Sequence, residues 1–324
     1  MTSREYENGR KRRSRGYRES ARKRMLRRRR RRILRIKRGI FCMASLVVVL
    51  LGVWVLRGML PGGTHREVLR VSGEDLSETE TESREAQEAY RAGNNIPYGS
   101  ELAELEKQDS RVGQVIENAG RYPERMLKML AKNIETLDFM LDYFDKKDLP
   151  CSETIGQAPA VGEVPLLLQW DERWGYGKYG ESIVAVSGCG PTCVAMVASG
   201  LTGRNDITPN KVAAYSEENG FLTKDMDTSW DLMTYGCTEF GVTGTMLGLD
   251  ENLMANTLAN GCPIICSMGP GDFTENGHFI VITGYENGAF TVKDPNSRIR
   301  SERSWSYEEL KDQIMNMWYY IAEE

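Results

Sequence analysis

Apolar positions along the chain change period several times, and each change marks an element. Residues 39–56 carry no charge over 18 positions, with Ile40-Phe41-Cys42-Met43-Ala44-Ser45-Leu46-Val47-Val48-Val49-Leu50-Leu51 at the centre. A helix needs ~17–25 such residues to cross a bilayer, so 39–60 reads as a transmembrane helix. Residues 61–120 are polar and acidic, opening Pro61-Gly62-Gly63 and running through Ser77-Glu78-Thr79-Glu80-Thr81-Glu82-Ser83. With little apolar surface to bury, they are expected to form a flexible stalk. Leu127, Leu130, Ile134, Leu137, Leu141 and Phe144 then recur at alternating spacings of 3 and 4, behind a Pro123 suited to a first helical turn. That stripe predicts one amphipathic helix over 121–147, packed on the domain that follows it or, as a short heptad seam, self-associating. Asp148-Leu149-Pro150 ends it, and 148–163 reads as a linker.

The remaining 164–324 alternates helical and strand patterns. A strand is expected at 164–168. The Cys189 helix follows, then helices at 208–219, with Thr208 as N-cap, and at 228–240 and 250–260. Strand patterns then take over at 263–268, 277–285, 289–293 and 317–321, with a short helix over 304–314. Glu286-Asn287-Gly288 joins the middle two as a hairpin turn. Helices first and an antiparallel sheet second describe an α+β domain.

Charge changes the picture at the N-terminus. Residues 1–38 hold 19 Lys+Arg against 3 Asp+Glu, a net +16, while the rest holds 23 against 43, a net −20. Arginines directly before an apolar span keep that end in the cytoplasm, so 1–38 is a basic cytoplasmic tail and everything past the span is extracellular. A cleaved signal peptide is disfavoured because Arg57-Gly58-Met59-Leu60-Pro61 offers no small-x-small cleavage site. The uninterrupted run from Arg27 to Arg32 makes anionic membrane lipid the expected partner, in preference to nucleic acid.

Candidate chemistry centres on Ser187-Gly188-Cys189-Gly190-Pro191-Thr192-Cys193, followed by the apolar run Val194-Ala195-Met196-Val197-Ala198. The glycines allow a sharp turn and the proline suits a first helical turn, which puts Cys189 at a helix start, where unpaired amides favour a thiolate. Such a nucleophile needs a base. The chain has two histidines, and His65 lies beside the membrane span, leaving His278. His278 opens the strand Gly277-His278-Phe279-Ile280-Val281, and the hairpin returns Asp294 of Asp294-Pro295 toward it, where a carboxylate could orient the imidazole. Trp170, Trp174, Tyr176 and Tyr179 either line a groove or cover the core. The loop Gly269-Pro270-Gly271-Asp272-Phe273 precedes His278 without the Gly-Lys-Ser/Thr of a phosphate loop. Of seven cysteines, five remain after Cys42 and Cys189. That odd number at irregular spacing suggests packed thiols and no disulfide framework. Cys189 and Cys193 have no further His or Cys cluster to complete a metal site, and no metal or other cofactor is expected.

Gly188-Cys189-Gly190-Pro191-Thr192, Gly277-His278-Phe279-Ile280-Val281 and Asp294-Pro295 together resemble the bacteriocin-processing, double-glycine-leader cysteine peptidases, family thirty-nine of the cysteine peptidases. The stand-alone branch is nearer than the transporter-fused one, since no ATP-binding motif or multi-span region is present. The resemblance runs from Val164 to Glu324. It implies a papain-like fold with Cys189 as nucleophile, His278 as base, Asp294 as orienter and no cofactor. It also implies that Gln169, in Leu168-Gln169-Trp170-Asp171, helps to form the oxyanion hole across an insertion at 171–187. The expected function is a membrane-anchored extracellular cysteine peptidase acting on a peptide or protein. A catalytically silent module binding peptide or wall polymer, and a cell-wall amidase, are the rival readings.

Overall fold

The structure is a computed structural model and describes residues 96–323. The basic tail at 1–38, the expected span at 39–60 and the stalk up to residue 95 lie outside the described residues. Among the described residues no helix is long and apolar enough to cross a membrane.

The centre is a six-stranded antiparallel sheet of order β3-β8-β4-β5-β6-β7. Its strands are β3 (Val242–Met246), β4 (Ile264–Met268), β5 (His278–Glu286), β6 (Ala289–Lys293), β7 (Ser304–Ser306) and β8 (Ile314–Ala322). A small ribbon, β1 (Lys178–Tyr179) with β2 (Ser182–Ile183), lies earlier in the chain. Antiparallel sheets often leave one face wet, but β4 and the start of β5 are buried throughout because both faces are covered. Ile265, Phe279, Val281, Trp318 and Tyr320 share a core with α7 (Cys189–Thr202) and α8 (Pro209–Asn219). Ile264, Cys266, Ile280, Ile282 and Met317 point the other way, onto Met254 and Leu258 of α10 (Glu251–Ala259). The two-residue period of a strand sorts the side chains between these cores.

Before the sheet, short helices build a third apolar cluster. They are α1 (Gly99–Glu106), α2 (Val112–Glu117), α3 (Glu124–Lys132), α4 (Leu137–Leu141) and α5 (Tyr143–Lys146). Leu102, Val112, Met126, Leu127, Leu130 and Phe139 pack there against Leu168, Trp170, Tyr176 and Ala185 from the following region. α6 (Val184–Ser187), α9 (Asp231–Thr234), α11 (Arg298–Glu302) and α12 (Tyr307–Lys311) complete the set.

Several expectations are corrected. The stretch 99–117, assigned above to a flexible stalk, forms α1 and α2, because Leu102, Val112 and Val115 have a cluster to enter. The single helix over 121–147 is broken at Asn133, whose backbone is extended and whose Oδ1 accepts from the Glu135 amide. Asparagine competes in this way with the helical ladder. A 3-10 turn (Ile134–Thr136) then precedes α4. Residues 164–168 form no strand. Pro165 lacks a donor, and the segment spans two clusters, with Leu167 in one and Leu168 in the other. The helix expected over 228–240 is α9 plus a 3-10 turn (Gly236–Phe240), and the helix over 304–314 is β7 followed by α12. The 250–260 helix and the hairpin agree with expectation. Asp250 caps α10 by accepting from the Leu253 amide, and Asn287 and Gly288 both take positive φ, as a two-residue hairpin turn requires.

Close approach of α7 to the 163–164 backbone depends on Gly200, where a Cβ would lie 2.6 Å from the Val164 Cα and 3.0 Å from the Glu163 carbonyl oxygen. Backbone cannot yield as a flexible side chain does. Gly200→Ala is therefore expected to destabilise by about 1–3 kcal/mol, whereas Gly277→Ala, with nothing within 4 Å, changes stability by less than about 0.5 kcal/mol. Urea unfolding midpoints of the two variants provide the check.

Candidate active site

Cys189 is the first residue of α7, joined to α6 by Gly188 alone. A Cβ on Gly188 would sit 2.5 Å from the Val184 carbonyl oxygen, so the turn admits glycine. The Gly188 amide donates to that oxygen at 2.8 Å, and the Gly188 carbonyl accepts from the Thr192 amide at 2.9 Å and the Thr192 hydroxyl at 2.7 Å. These bonds hold the helix start, where first-turn amides have no intrahelical acceptor. Gly190 lies against Thr228, whose hydroxyl meets the Tyr179 hydroxyl at 3.1 Å. Cys189 is partly exposed, while Cys193 one turn later is fully buried, and burial pushes its thiol well above the ordinary range. The pair at i and i+4 thus holds one accessible and one inert thiol.

His278 is the first residue of β5 and pairs with Met268 of β4. The hairpin register sets Val281 against Lys293, so continuing it brings 294–296 back across from 278–280. Nε2 of His278 meets Asp294 Oδ1 at 2.7 Å, and the Cys189 sulfur is near enough to add to the ring's hold on its proton. With Nε2 committed to Asp294, Nδ1 is left for Cys189. The ring is 8% exposed and the carboxylate not at all. Burial pushes His278 down, but the Asp294 charge, its hydrogen bond and the Cys189 sulfur outweigh this and raise it to about 10. Burial likewise pushes Asp294 up, and the His278 charge, Arg300 and the Asn296 amide reverse it, leaving the carboxyl below its ordinary value.

Two of those partners went unnoticed in the sequence. The Asn296 amide donates to Asp294 Oδ1 at 2.7 Å, and Arg300 Nε donates to Oδ2 at 2.5 Å from α11. An Asp-Pro turn followed six residues later by an arginine was the available signal.

Gln169 is buried beside these elements. Its amide donates to the Pro295 carbonyl at 2.7 Å and its Nε2 to the Ala185 carbonyl at 2.6 Å, while Oε1 is buried without a partner. It therefore ties the Asp294 loop to α6, which leads into Cys189. Trp170 and Trp174 are 5% and 0% exposed and belong to the cores. Trp170 Nε1 donates to the Asn296 carbonyl at 3.0 Å, and the Arg298 guanidinium lies 4.6 Å over its ring. The glycine-rich loop before His278 closes on itself and onto Gln313. The Gly271 amide donates to the Thr274 carbonyl, the Gly277 amide to Thr274 Oγ1 and the Asp272 amide to Gln313 Oε1.

Residues 161–324 match the model of the Peptidase_C39 like family, and the chain belongs to that family. Among solved structures it is similar to the peptidase domain of Streptococcus ComA, a bi-functional ABC transporter involved in a quorum-sensing pathway. The identity is 18%, covering 50% of this chain and 100% of that one, with a TM-score of 0.34. A C39-like peptidase from Bacillus anthracis is similar at 13% identity, covering 50% of this chain and 96% of that one, with a TM-score of 0.33. No curated protein matches the chain.

The His278–Asp294 pair makes stability depend on pH. His278 is held above the ordinary imidazole value of ~6.5, so its contribution is complete below that pH and is lost as pH rises toward about 10. Asp294 is held below ~3.9, so its contribution is present above that pH and is lost only in acid. The melting temperature of the wild type minus that of His278→Ala should fall steadily from pH ~6 to ~10. Thermal unfolding of both proteins across that range provides the check, and a constant difference would contradict the pair.

Proposed function

We propose that this member of the family is a cysteine peptidase, papain-like in its catalytic domain, that hydrolyses peptide bonds of a peptide or protein substrate through Cys189, His278 and Asp294. The reading is carried by a single arrangement. A buried histidine holds a carboxylate on one ring nitrogen and has a partly exposed, helix-starting thiol near enough to strengthen its hold on a proton. A side chain serving packing alone needs neither partner.

Cys189 Sγ attacks the scissile carbonyl carbon as thiolate, with His278 protonated, and the carbonyl electron pair moves onto oxygen. The Cys189 amide, at the helix start, and Gln169 Nε2 stabilise that oxyanion. Nε2 carries two hydrogens and the Ala185 carbonyl takes one, so the second is available to the substrate. When the tetrahedral species collapses, the C–N bond breaks and His278 delivers its proton to the departing amine. The thioester is then hydrolysed. Water gives its proton to His278 as it attacks, and the sulfur leaves as thiolate, restoring the pair. Asp294 keeps the ring oriented and stabilises its charged form throughout.

The uncharged residues 39–56, behind 38 residues of net charge +16, support a single-pass anchor over 39–60 with a cytoplasmic N-terminus and an extracellular catalytic domain.

Full-length protein is expected to cut members of a fluorogenic peptide library, and Cys189→Ala to reduce that cleavage to background. His278→Ala should also slow iodoacetamide labelling of Cys189 at pH ~6 by about tenfold or more. A chain that cuts nothing in the library and alkylates equally fast with and without His278 would be a peptidase-like binding module instead.

A further inference from the structure

The family match begins at residue 161, yet the loop that carries Asp294 is gripped by residues well before it. Asn133 Nδ2 donates to the Asn296 carbonyl at 2.5 Å. The Glu135 carboxylate accepts from the Ser297 hydroxyl on Oε1 and from the Arg298 amide on Oε2, the latter at 2.8 Å. Asn133 Oδ1 accepts from the Glu135 amide at 3.0 Å, so the two side chains are presented together as one turn. Asn133 is 9% and Ser297 3% exposed, Glu135 is half-buried and Arg298 is exposed, so the clamp runs from the interior to the surface. Lys132, at the end of α3, reaches Glu275 Oε1 at 2.8 Å, on the loop before His278. One short segment, 132–135, thus touches both stretches of chain that deliver the histidine and its carboxylate.

A continuous line of bonds leads from the clamp to the imidazole. Ser297 is the N-cap of α11 and accepts the Arg300 amide at 3.1 Å. α11 carries Arg300, whose Nε holds Asp294 Oδ2, and Ser301, whose Oγ accepts the Asp294 amide at 2.8 Å and donates to the Ser297 carbonyl at 2.6 Å. Asp294 Oδ1 then meets His278. Glu135 therefore secures both the cap and the first amide of the helix that fixes the Asp294 backbone and carboxylate. Without it, the Ser297 hydroxyl and the Arg298 amide lose their charged acceptor, and the start of α11 keeps its own cap and the bonds of Asn133 and Trp170 to the Asn296 carbonyl.

We propose that Glu135, with Asn133, is a positioning residue for the His278–Asp294 pair, so that the helical segment before the family-matched region is part of the framework of the active centre. Its functional meaning rests on the peptidase reading, but its measurement does not. The test is the protonation midpoint of the His278 ring, followed by NMR of the full chain in detergent with labelled histidine. The chain has two histidines, and His278→Ala identifies the second signal. A fold defect that leaves Asp294 in place lowers the melting temperature without moving this midpoint. In Glu135→Ala the His278 midpoint is expected to fall by about one unit, a tenfold loss of proton affinity. Glu135→Gln, which keeps the size and one acceptor, should fall part of the way. Should Glu135→Ala not fold, Glu135→Gln and Asn133→Ala decide the matter. An unmoved midpoint in the folded variants overturns the inference, whatever the peptidase assay shows. Conversely, Cys189 labelling indifferent to His278→Ala removes the peptidase reading, while a shifted midpoint still upholds the role of Glu135 in holding the pair.

Discussion

A carboxylate with no solvent exposure is costly to bury, and this domain surrounds Asp294 with partners that hold it charged. Asp294 takes His278 and the Asn296 amide on one oxygen and Arg300 on the other. Removing one partner from a buried ionic set costs about 3–5 kcal/mol, because the remaining charge has no water to turn to. The cost is what gives the site definition. A histidine on a surface strand would sample several rotamers, whereas the buried His278 ring would lose its carboxylate partner if it turned away from Asp294. Arg300, holding the second oxygen, adds a further positive charge that favours the ionised carboxylate.

The sheet serves that pair through register. β5 starts at His278 and β6 ends one residue before Asp294, so the two-residue turn at Asn287-Gly288, together with the one-residue register shift between Ile282 and Gly284, determines which residues meet at the far end of the hairpin. A slip of one residue would move every side chain to the opposite face. Here both faces are buried, so a slip would push Phe279 and Val281 into the core built for Ile280 and Ile282. Packing on two sides therefore protects the geometry of the site at a distance from it. On the opposite wall α7 is buried from Gly190 to Leu201 and leaves its first residue, Cys189, at the edge of that burial.

What could be read from the sequence follows from how local each signal is. The Cys189 turn and the His278 hairpin are encoded within a few consecutive residues, by glycines, a proline and an Asn-Gly pair, and they form as expected. The helix over 121–147 was misread because its 3-and-4 stripe is real but continues across Asn133, where a side chain substitutes for the helical ladder. Averaging charge over 61–120 concealed Leu102, Val112 and Val115, which are buried. Residues 164–168 look like a strand because they are apolar, yet they are apolar in order to bridge two clusters. Arg300 is six residues from its partner and offered a weak local hint. Glu135 and Asn133 lie more than 160 positions from theirs, and no periodicity connects them.

That last distance bears on where the functional unit begins. Sequence similarity to the family starts at residue 161, but burial does not respect that boundary. Leu168, Trp170, Tyr176 and Ala185 on one side share a single apolar cluster with Leu102, Met126, Leu130 and Phe139 on the other. Ala185 lies in α6, next to the Cys189 helix, and Trp170 Nε1 bonds the Asn296 carbonyl beside Asp294. A core that encloses residues touching both halves of the site cannot be lifted away as a spacer. Exposing Leu168 and Trp170 to water would favour their rearrangement, at roughly 25 cal/mol for each Å² of apolar surface uncovered, and Trp170 would carry the Asn296 loop with it. The physical domain is therefore larger than the matched one. The described helices before residue 161 belong to the folded body that holds Asp294 in place.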